Sequence, residues 1–275
     1  MRINWPMDSA IEKMLMALAD GMIRRTAARE PTVAQWKKCR LVAHRGDLDN
    51  GRLTENSLSA FDHALAAGVW GVELDLRWTR DRHPVVFHDP DLSRIYQSPV
   101  AVADIGLAEL RRRFPGIPTL AEVVRRYGRR IHIMLEIKEA SHVSWRDQGR
   151  VLGEVLHSLR PGRDYHILGL DLPSLWALDG VPARFRLPIA RFDIPGFSRE
   201  VQRRNYSGLC GHYLLISQRR AAGFQRRGQG VGVGFVDSWP VLCWVAARNP
   251  TWIFSNRAVA LETRRRTLLA AKGCI

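Results

Sequence analysis

Val72-Glu73-Leu74-Asp75-Leu76 is the stretch on which the reading of this chain turns. In an extended backbone successive side chains point to opposite faces, so Val72, Leu74 and Leu76 share one side and Glu73 and Asp75 the other. A strand buried in a parallel sheet is ordinarily apolar on both faces. A carboxylate there is costly unless it is paired or bound to a metal. The same pattern recurs along the chain. Leu41-Val42-Ala43 runs into His44-Arg45-Gly46, Val85-Val86-Phe87 runs into His88-Asp89, and Glu136 and Lys138 alternate with Leu135 and Ile137. Each segment reads as a strand that carries charge or imidazole at its end.

At about 3.3 Å per residue, Glu73 and Asp75 stand roughly 6.6 Å apart on one face. A hard divalent cation between them would draw both into one coordination sphere, with Glu136 completing it from another strand. All-oxygen ligation favours magnesium, calcium or manganese over zinc. His44 and His88 are placed to exchange protons with an attacking and a leaving oxygen. Arg45 and Lys138 suit the remaining oxygens of a phosphate, Arg45 through paired bonds and Lys138 as a point charge. Glu55 could be a ligand, but its position in the turn suits a partner of Arg45 at least as well. The competing reading, Glu73 and Asp75 ion-paired with Arg77 or Arg80, requires one arginine to neutralise two carboxylates.

The ordered set His44-Arg45-Gly46, Thr54-Glu55-Asn56-Ser57, Glu73-Leu74-Asp75, Pro84-Val85-Val86-Phe87-His88-Asp89, Ile117-Pro118-Thr119-Leu120 and Leu135-Glu136-Ile137-Lys138 resembles the glycerophosphodiester phosphodiesterases. Any one piece is a weak signal; the order across residues 41 to 138 is specific. The resemblance implies a TIM (β/α)8 barrel, one divalent cation on Glu73, Asp75 and Glu136, and His44 and His88 as an acid/base pair. It implies hydrolysis of a glycerophosphodiester to glycerol 3-phosphate, or a related phosphomonoester, and an alcohol. It leaves open whether water or the substrate's own 2-hydroxyl attacks phosphorus.

The second half departs from that pattern. Gly234-Phe235-Val236-Asp237 stands where the family carries a tryptophan at a strand end, and Gly169-Leu170 where it carries a Ser-Phe pair. Trp252 replaces a smaller residue and, with Phe235, is a candidate to fill the space left at Gly234. An open pocket would suit a lysophospholipase D-like activity on lipid phosphodiesters. A barrel that binds a phosphorylated ligand or lipid head group without turnover is the remaining alternative, although a binder needs no pair of histidines.

The chain divides into an N-terminal helical extension over 1–38 and a barrel domain over 39–275, long enough for a (β/α)8 fold of about 250 residues. The formal net charge is +15, and lysine occurs only at Lys13, Lys37, Lys38, Lys138 and Lys272, so arginine dominates. Such a charge attracts anions without specifying a fold. No basic motif interleaved with aromatics points to nucleic acid. Cys39, Cys210, Cys243 and Cys274 have no metal-ligand spacing and are expected as free thiols. With neither a signal-like segment nor about 20 consecutive apolar residues, a cytoplasmic protein is expected.

Ser9 and Glu12 form a capping box for a helix over 8–25 with Ile11, Met14, Leu15, Leu18 and Met22 on one face. It would cover the lower mouth of the barrel or lie peripherally on an anionic membrane. Asn56 is expected to cap the first barrel helix, and 89–118 to form a cap after the second strand. Further strands are expected at 165–170, 187–192, 209–216, 231–236 and 251–255, with a loop at 193–208. His132 is expected inside the barrel as a structural residue, and Asp47, Asp49 and Asp89 as loop or capping residues.

Overall fold

The computed structural model describes residues 30–48, 51–176 and 180–274, with Leu18, Gly21, Ile23 and Leu178 besides. Most of the helix expected over 8–25, and Asp49, therefore lie outside the described residues. The strands are β1 Leu41–His44, β2 Gly71–Trp78, β3 Pro84–Val86, β4 His132–Ile137, β5 Tyr165–Gly169, β6 Arg186–Ala190, β7 Gly208–His212, β8 Gly230–Gly234 and β9 Trp252–Ser255. In spatial order they run β1-β9-β8-β7-β6-β5-β4-β2-β3, and β1 also pairs with β2. That pairing closes eight parallel strands into a (β/α)8 barrel.

The ninth strand is an addition to the barrel. β3 pairs antiparallel with β2, Leu76 opposite Val86 and Trp78 opposite Pro84. β2 can host it because it outruns its neighbours: β1 stops with His44 opposite Glu73, and β4 with Ile137 opposite Leu76. Beyond β3 the chain makes short helices at Ser93–Tyr96 and Leu107–Arg113, joined by a single 3₁₀ turn. A small core of its own, including Val85, Phe87, Leu92, Ile105, Leu110 and Ile117, holds this cap together. At roughly 1.5–3 kcal/mol per buried large apolar side chain, six such residues suffice to order it against the barrel.

Period-two alternation builds the barrel interior in layers. On β4 the inward series runs His132, Met134, Glu136. Met134 packs with Val42, Leu168, Leu187, Cys210 and Phe254 in a middle layer. Below it, His132 Nε2 meets His166 Nδ1 at 2.8 Å, His132 stacks on Trp70 at 4.4 Å, and His166 meets Trp252 edge-on at 5.1 Å. Burial holds both imidazoles neutral, lowering His132 to about 4 and His166 to about 3. Trp252 thus belongs to the lower end of the barrel. A Cβ on Gly230 would meet its ring at 2.4 Å, and it does not fill the space at Gly234.

Two local expectations are corrected. Residues 193–208, read as a loop because they are polar, contain the helix Ile194–Arg203, capped by the Asp193 side chain and opened by Pro195 in its first turn. Its polar residues face solvent, while Ile194 and Val201 are buried. The first barrel helix, Leu58–Ala66, is capped by Ser57, whose side chain accepts from the Ala60 N–H, and not by Asn56. Asn56, in the left-handed region at φ 56°, is turned toward β2. Thr119 and Glu122 form the capping box of the helix Leu120–Tyr127. Among the described residues no helix is long and apolar enough to cross a membrane. All four cysteines are free.

Candidate active site

Glu73, Asp75 and Glu136 converge at the upper end of the barrel. Each offers an oxygen, and the three oxygens lie within 4.8 Å of one another. All three residues are buried, Asp75 completely. Asp75 Oδ2 accepts from Asn56 Nδ2 at 2.8 Å and lies 3.3 Å from Arg45 Nε, and its Oδ1 lies 2.8 Å from Lys138 Nζ. The Asp75 N–H donates back to Asn56 Oδ1 at 3.3 Å, so the Asn56 amide holds both the carboxylate and the backbone of Asp75. Lys138 Nζ also contacts Glu136 Oε1. Burial alone would raise the Asp75 carboxyl, but Lys138 and Arg45 together hold it well below the usual carboxylate range. Burial, with repulsion from Asp75 and Glu136, pushes Glu73 well above it.

The turn after β1 explains why histidine, arginine and glycine occur together. Arg45 adopts φ 56° and Gly46 φ 86°. A Cβ on Gly46 would lie 2.8 Å from Ala60 Cβ, so only glycine lets the chain pass the first barrel helix. In this conformation the Arg45 N–H donates to Glu73 Oε2 at 3.1 Å, and its Nη1 donates to Glu55 Oε1 at 3.0 Å. Glu55 Oε1 accepts again from Arg94 Nη2 at 2.5 Å, and Arg94 Nε donates to Asp89 Oδ2 at 2.6 Å. One chain of ion pairs therefore links the β1 turn to the cap.

Both histidines are oriented through Nδ1. Asp237 accepts from Asn256 through the backbone N–H (2.8 Å) and Nδ2 (2.7 Å), which leaves Asn256 Oδ1 facing His44 Nδ1 at 2.8 Å. His44 Nδ1 is then the donor, and in the neutral ring Nε2 carries the lone pair. Nε2 lies 3.8 Å from Glu73 Oε2. His88, just past β3, has Nδ1 2.7 Å from Asp89 Oδ1, an acceptor when ionised. Burial lowers the pKa of both rings: next to burial, Arg45 lowers His44 further, whereas Asp75 opposes the shift at His88.

His44, Arg45, Glu55, Glu73, Asp75, His88, Glu136 and Lys138 are thus gathered in one site, as the spacing of the sequence anticipated. Asn56, Asp89, Arg94, Asp237 and Asn256 were not anticipated. Asp89 had a signal, its adjacency to His88; Asn256 and Asp237 had none within the first half of the chain. Gly234 borders open space, with no atom within 4 Å of a Cβ built there. Phe235, at φ 66°, stacks on His212 at 5.2 Å.

The donor set fits a hard divalent cation. Three carboxylates face two cationic side chains, and the buried Glu73 Oε1 has no hydrogen-bond partner. Three buried carboxylates at the mouth of a closed barrel could therefore hold one metal ion. Residues 44–169 match the model of the glycerophosphoryl diester phosphodiesterase family. It is 36% identical over 113 residues to a glycerophosphodiester phosphodiesterase of Caldanaerobacter subterraneus, covering 37% of this chain and 46% of the relative. The corresponding enzyme of Bacillus altitudinis is 34% identical over 110 residues, 36% of this chain and 44% of the relative. The chain therefore spans about half the length of the curated relatives it matches.

Solved structures reproduce the fold over most of the chain. A glycerophosphodiester phosphodiesterase of Thermotoga maritima superposes with a TM-score of 0.68 at 24% identity, covering 81% of this chain and 96% of that one. An Oleispira antarctica phosphodiesterase, solved with the product sn-glycerol-3-phosphate, gives 0.70 at 20% identity, covering 82% and 95%.

Proposed function

We propose that this protein hydrolyses a glycerophosphodiester to glycerol 3-phosphate and an alcohol, with His44 and His88 as acid/base pair. The observation that carries the reading is the pair of imidazoles, each tied at Nδ1, flanking a buried cluster of three carboxylates. A divalent cation held by Glu73, Asp75 and Glu136 would neutralise substrate charge and polarise the phosphoryl group. Arg45 and Lys138 hold non-bridging oxygens, and Glu55 keeps the Arg45 guanidinium extended toward them. His44, bonded to a neutral amide, is free to take a proton at Nε2 from the attacking oxygen. His88, bonded to a carboxylate that favours its protonated form, delivers a proton from Nε2 to the leaving oxygen.

The open space at Gly234 supports a second reading of the substrate, in which the leaving group is bulkier than glycerol, as in a lysophospholipid. The test is a screen of glycerophosphodiesters and lysophospholipids, with and without chelator, products identified by phosphorus NMR. Release of glycerol 3-phosphate only when divalent cation is present supports the proposal. Undiminished turnover in excess chelator overturns the metal assignment, and no turnover of any diester overturns the reaction.

A further inference from the structure

Large apolar side chains that stand in water need an explanation, and among the described residues five are exposed: Leu18, Trp176, Phe192, Leu214 and Leu215. Three of these lie in two neighbouring loops at the catalytic end. β6 and β7 are paired, Ala190 opposite Gly211. Phe192 comes two residues after β6 ends, and Leu214 and Leu215 come two and three residues after β7 ends. Loops that follow strand ends in a (β/α)8 barrel rise from the face that carries the active site. Phe192 is 80% exposed, Leu214 47% and Leu215 42%. The helices that follow are capped by Asp193 and Ser217, so both loops are held at their bases while their tips point outward.

Arg191 precedes Phe192 and Arg219 follows the second loop. Both are exposed, and neither has a carboxylate partner among the described residues. Exposed apolar side chains flanked in sequence by arginines without a carboxylate partner match an anionic lipid surface: the apolar groups enter the acyl boundary while the guanidinium groups stay with the head groups. A second copy of the chain is a poor match, because like arginines would meet on a molecule of net charge +15.

We infer that Phe192, Leu214 and Leu215, flanked by Arg191 and Arg219, dock the catalytic face of this protein on an anionic bilayer. None of these residues belongs to the carboxylate cluster. The inference does not depend on the reaction proposed above. Its consequence for that reaction is that the barrel mouth opens toward the membrane.

The experiment is flotation of the full chain with phosphatidylcholine vesicles, with and without phosphatidylglycerol, at low and high salt. The parent should bind only vesicles that contain phosphatidylglycerol, and less at high salt. Phe192→Ser, and separately Leu214→Ser with Leu215→Ser, should each lower partitioning about tenfold, equivalent to about 1.4 kcal/mol. Arg191→Ser with Arg219→Ser should lower it and flatten its salt dependence. Unchanged circular dichroism, and unchanged hydrolysis of a water-soluble glycerophosphodiester where the parent has it, show that the variants are folded. A parent that ignores anionic vesicles, or apolar variants that bind as the parent does, overturns the docking surface. So does a parent dimer that Phe192→Ser dissociates while vesicle binding is absent. Vesicle binding that these variants abolish, in a parent that hydrolyses no diester, upholds the docking surface and refutes only the chemistry.

Discussion

Across the mouth of the barrel, β1, β2 and β4 present His44, Glu73, Asp75 and Glu136, tied together by Arg45, Asn56 and Lys138. β5, β6 and β8 end in Gly169, Ala190 and Gly234. One side of the rim is filled with paired charge, whereas the rim at Gly234 leaves open space where a side chain would stand. The difference reflects what each half has to do. Charge that must meet a phosphate has to be positioned before the substrate arrives, because an unpaired buried charge would destabilise the fold. Space for a leaving group requires only that atoms be absent. It follows that the charged half should be intolerant of substitution and the open half permissive.

The sharpest way to break this contrast is to remove a carboxylate. Glu136→Ala and Glu73→Gln should each lower turnover on the order of 1000-fold or more, the several kcal/mol that electrostatic stabilisation at a metal supplies. Both should also lose the rise in melting temperature on adding magnesium, calcium or manganese. The two variants should differ in metal-free protein. Burial and the neighbouring carboxylates raise Glu73 in the folded state. The folded chain therefore holds that proton more tightly than the unfolded one, and stability falls as pH rises from about 4.5 toward the folded value. At neutral pH the metal-free Glu73→Gln protein should be at least as stable as the parent by denaturant titration. A large loss of metal-free stability would mean that Glu73 is a structural ion-pair member and not a site held open for a cation.

Next in size are the histidines. His44→Ala and His88→Ala should each reduce turnover about 100-fold, and the double variant by less than the product if the two act in one step as proposed. An aryl phosphodiester, whose leaving group needs little protonation, should rescue His88→Ala more than His44→Ala. Equal rescue would remove the assignment of acid and base, and full activity of either variant would end the pairing.

Smaller still is the effect of the groups that aim these rings. Asp89→Asn keeps the shape beside His88 Nδ1 but removes the charge that favours the imidazolium. Turnover should fall about tenfold, a common cost for losing the partner of an active group, with KM little changed. The alkaline limb of the pH–rate profile should move to lower pH, because the acid form of His88 is then lost sooner. A profile that keeps its position while the rate falls would mean that Asp89 serves only the Arg94 bridge.

The same contrast governs what the sequence reveals. Glu73, Asp75, Glu136 and both histidines were legible because charge on a strand is anomalous and the anomaly repeats. The eight barrel strands were legible from apolar runs, although β3 became an antiparallel arm because β2 runs on past its neighbours. Asn256 was not legible as the residue that orients His44. It reaches His44 only because the barrel closes β9 onto β1, 212 residues away in sequence. Asn56 was misread because asparagine at a helix start usually caps, and here its amide is drawn instead to a buried carboxylate. Residues 193–208 were misread because their surface helix buries only a narrow stripe that includes Ile194 and Val201.

The open half yields the smallest and most discriminating effect. Gly234 has no atom within 4 Å of a Cβ built there, and its backbone lies outside the left-handed region that would bar a side chain. An indole at this position therefore has room, and Gly234→Trp should fold with the stability of the parent. What should change is selectivity. Trp252, the residue best able to fill the gap by size, is committed to the lower layer against His166, so the parent keeps the space open. Gly234→Trp should then lower kcat/KM for a bulky diester such as a lysophospholipid relative to glycerophosphoglycerol, by up to about tenfold. That is about 1.4 kcal/mol of differential transition-state binding, within the reach of one large contact. The measurement is the ratio of the two kcat/KM values in parent and variant, with the lysophospholipid kept below its micellar concentration so that membrane docking does not enter. A ratio that moves toward the small substrate places the leaving group beside β8. A ratio that does not move places it elsewhere on the rim, and a fall in both values together would mean that the indole reaches the charged half and obstructs the phosphate itself.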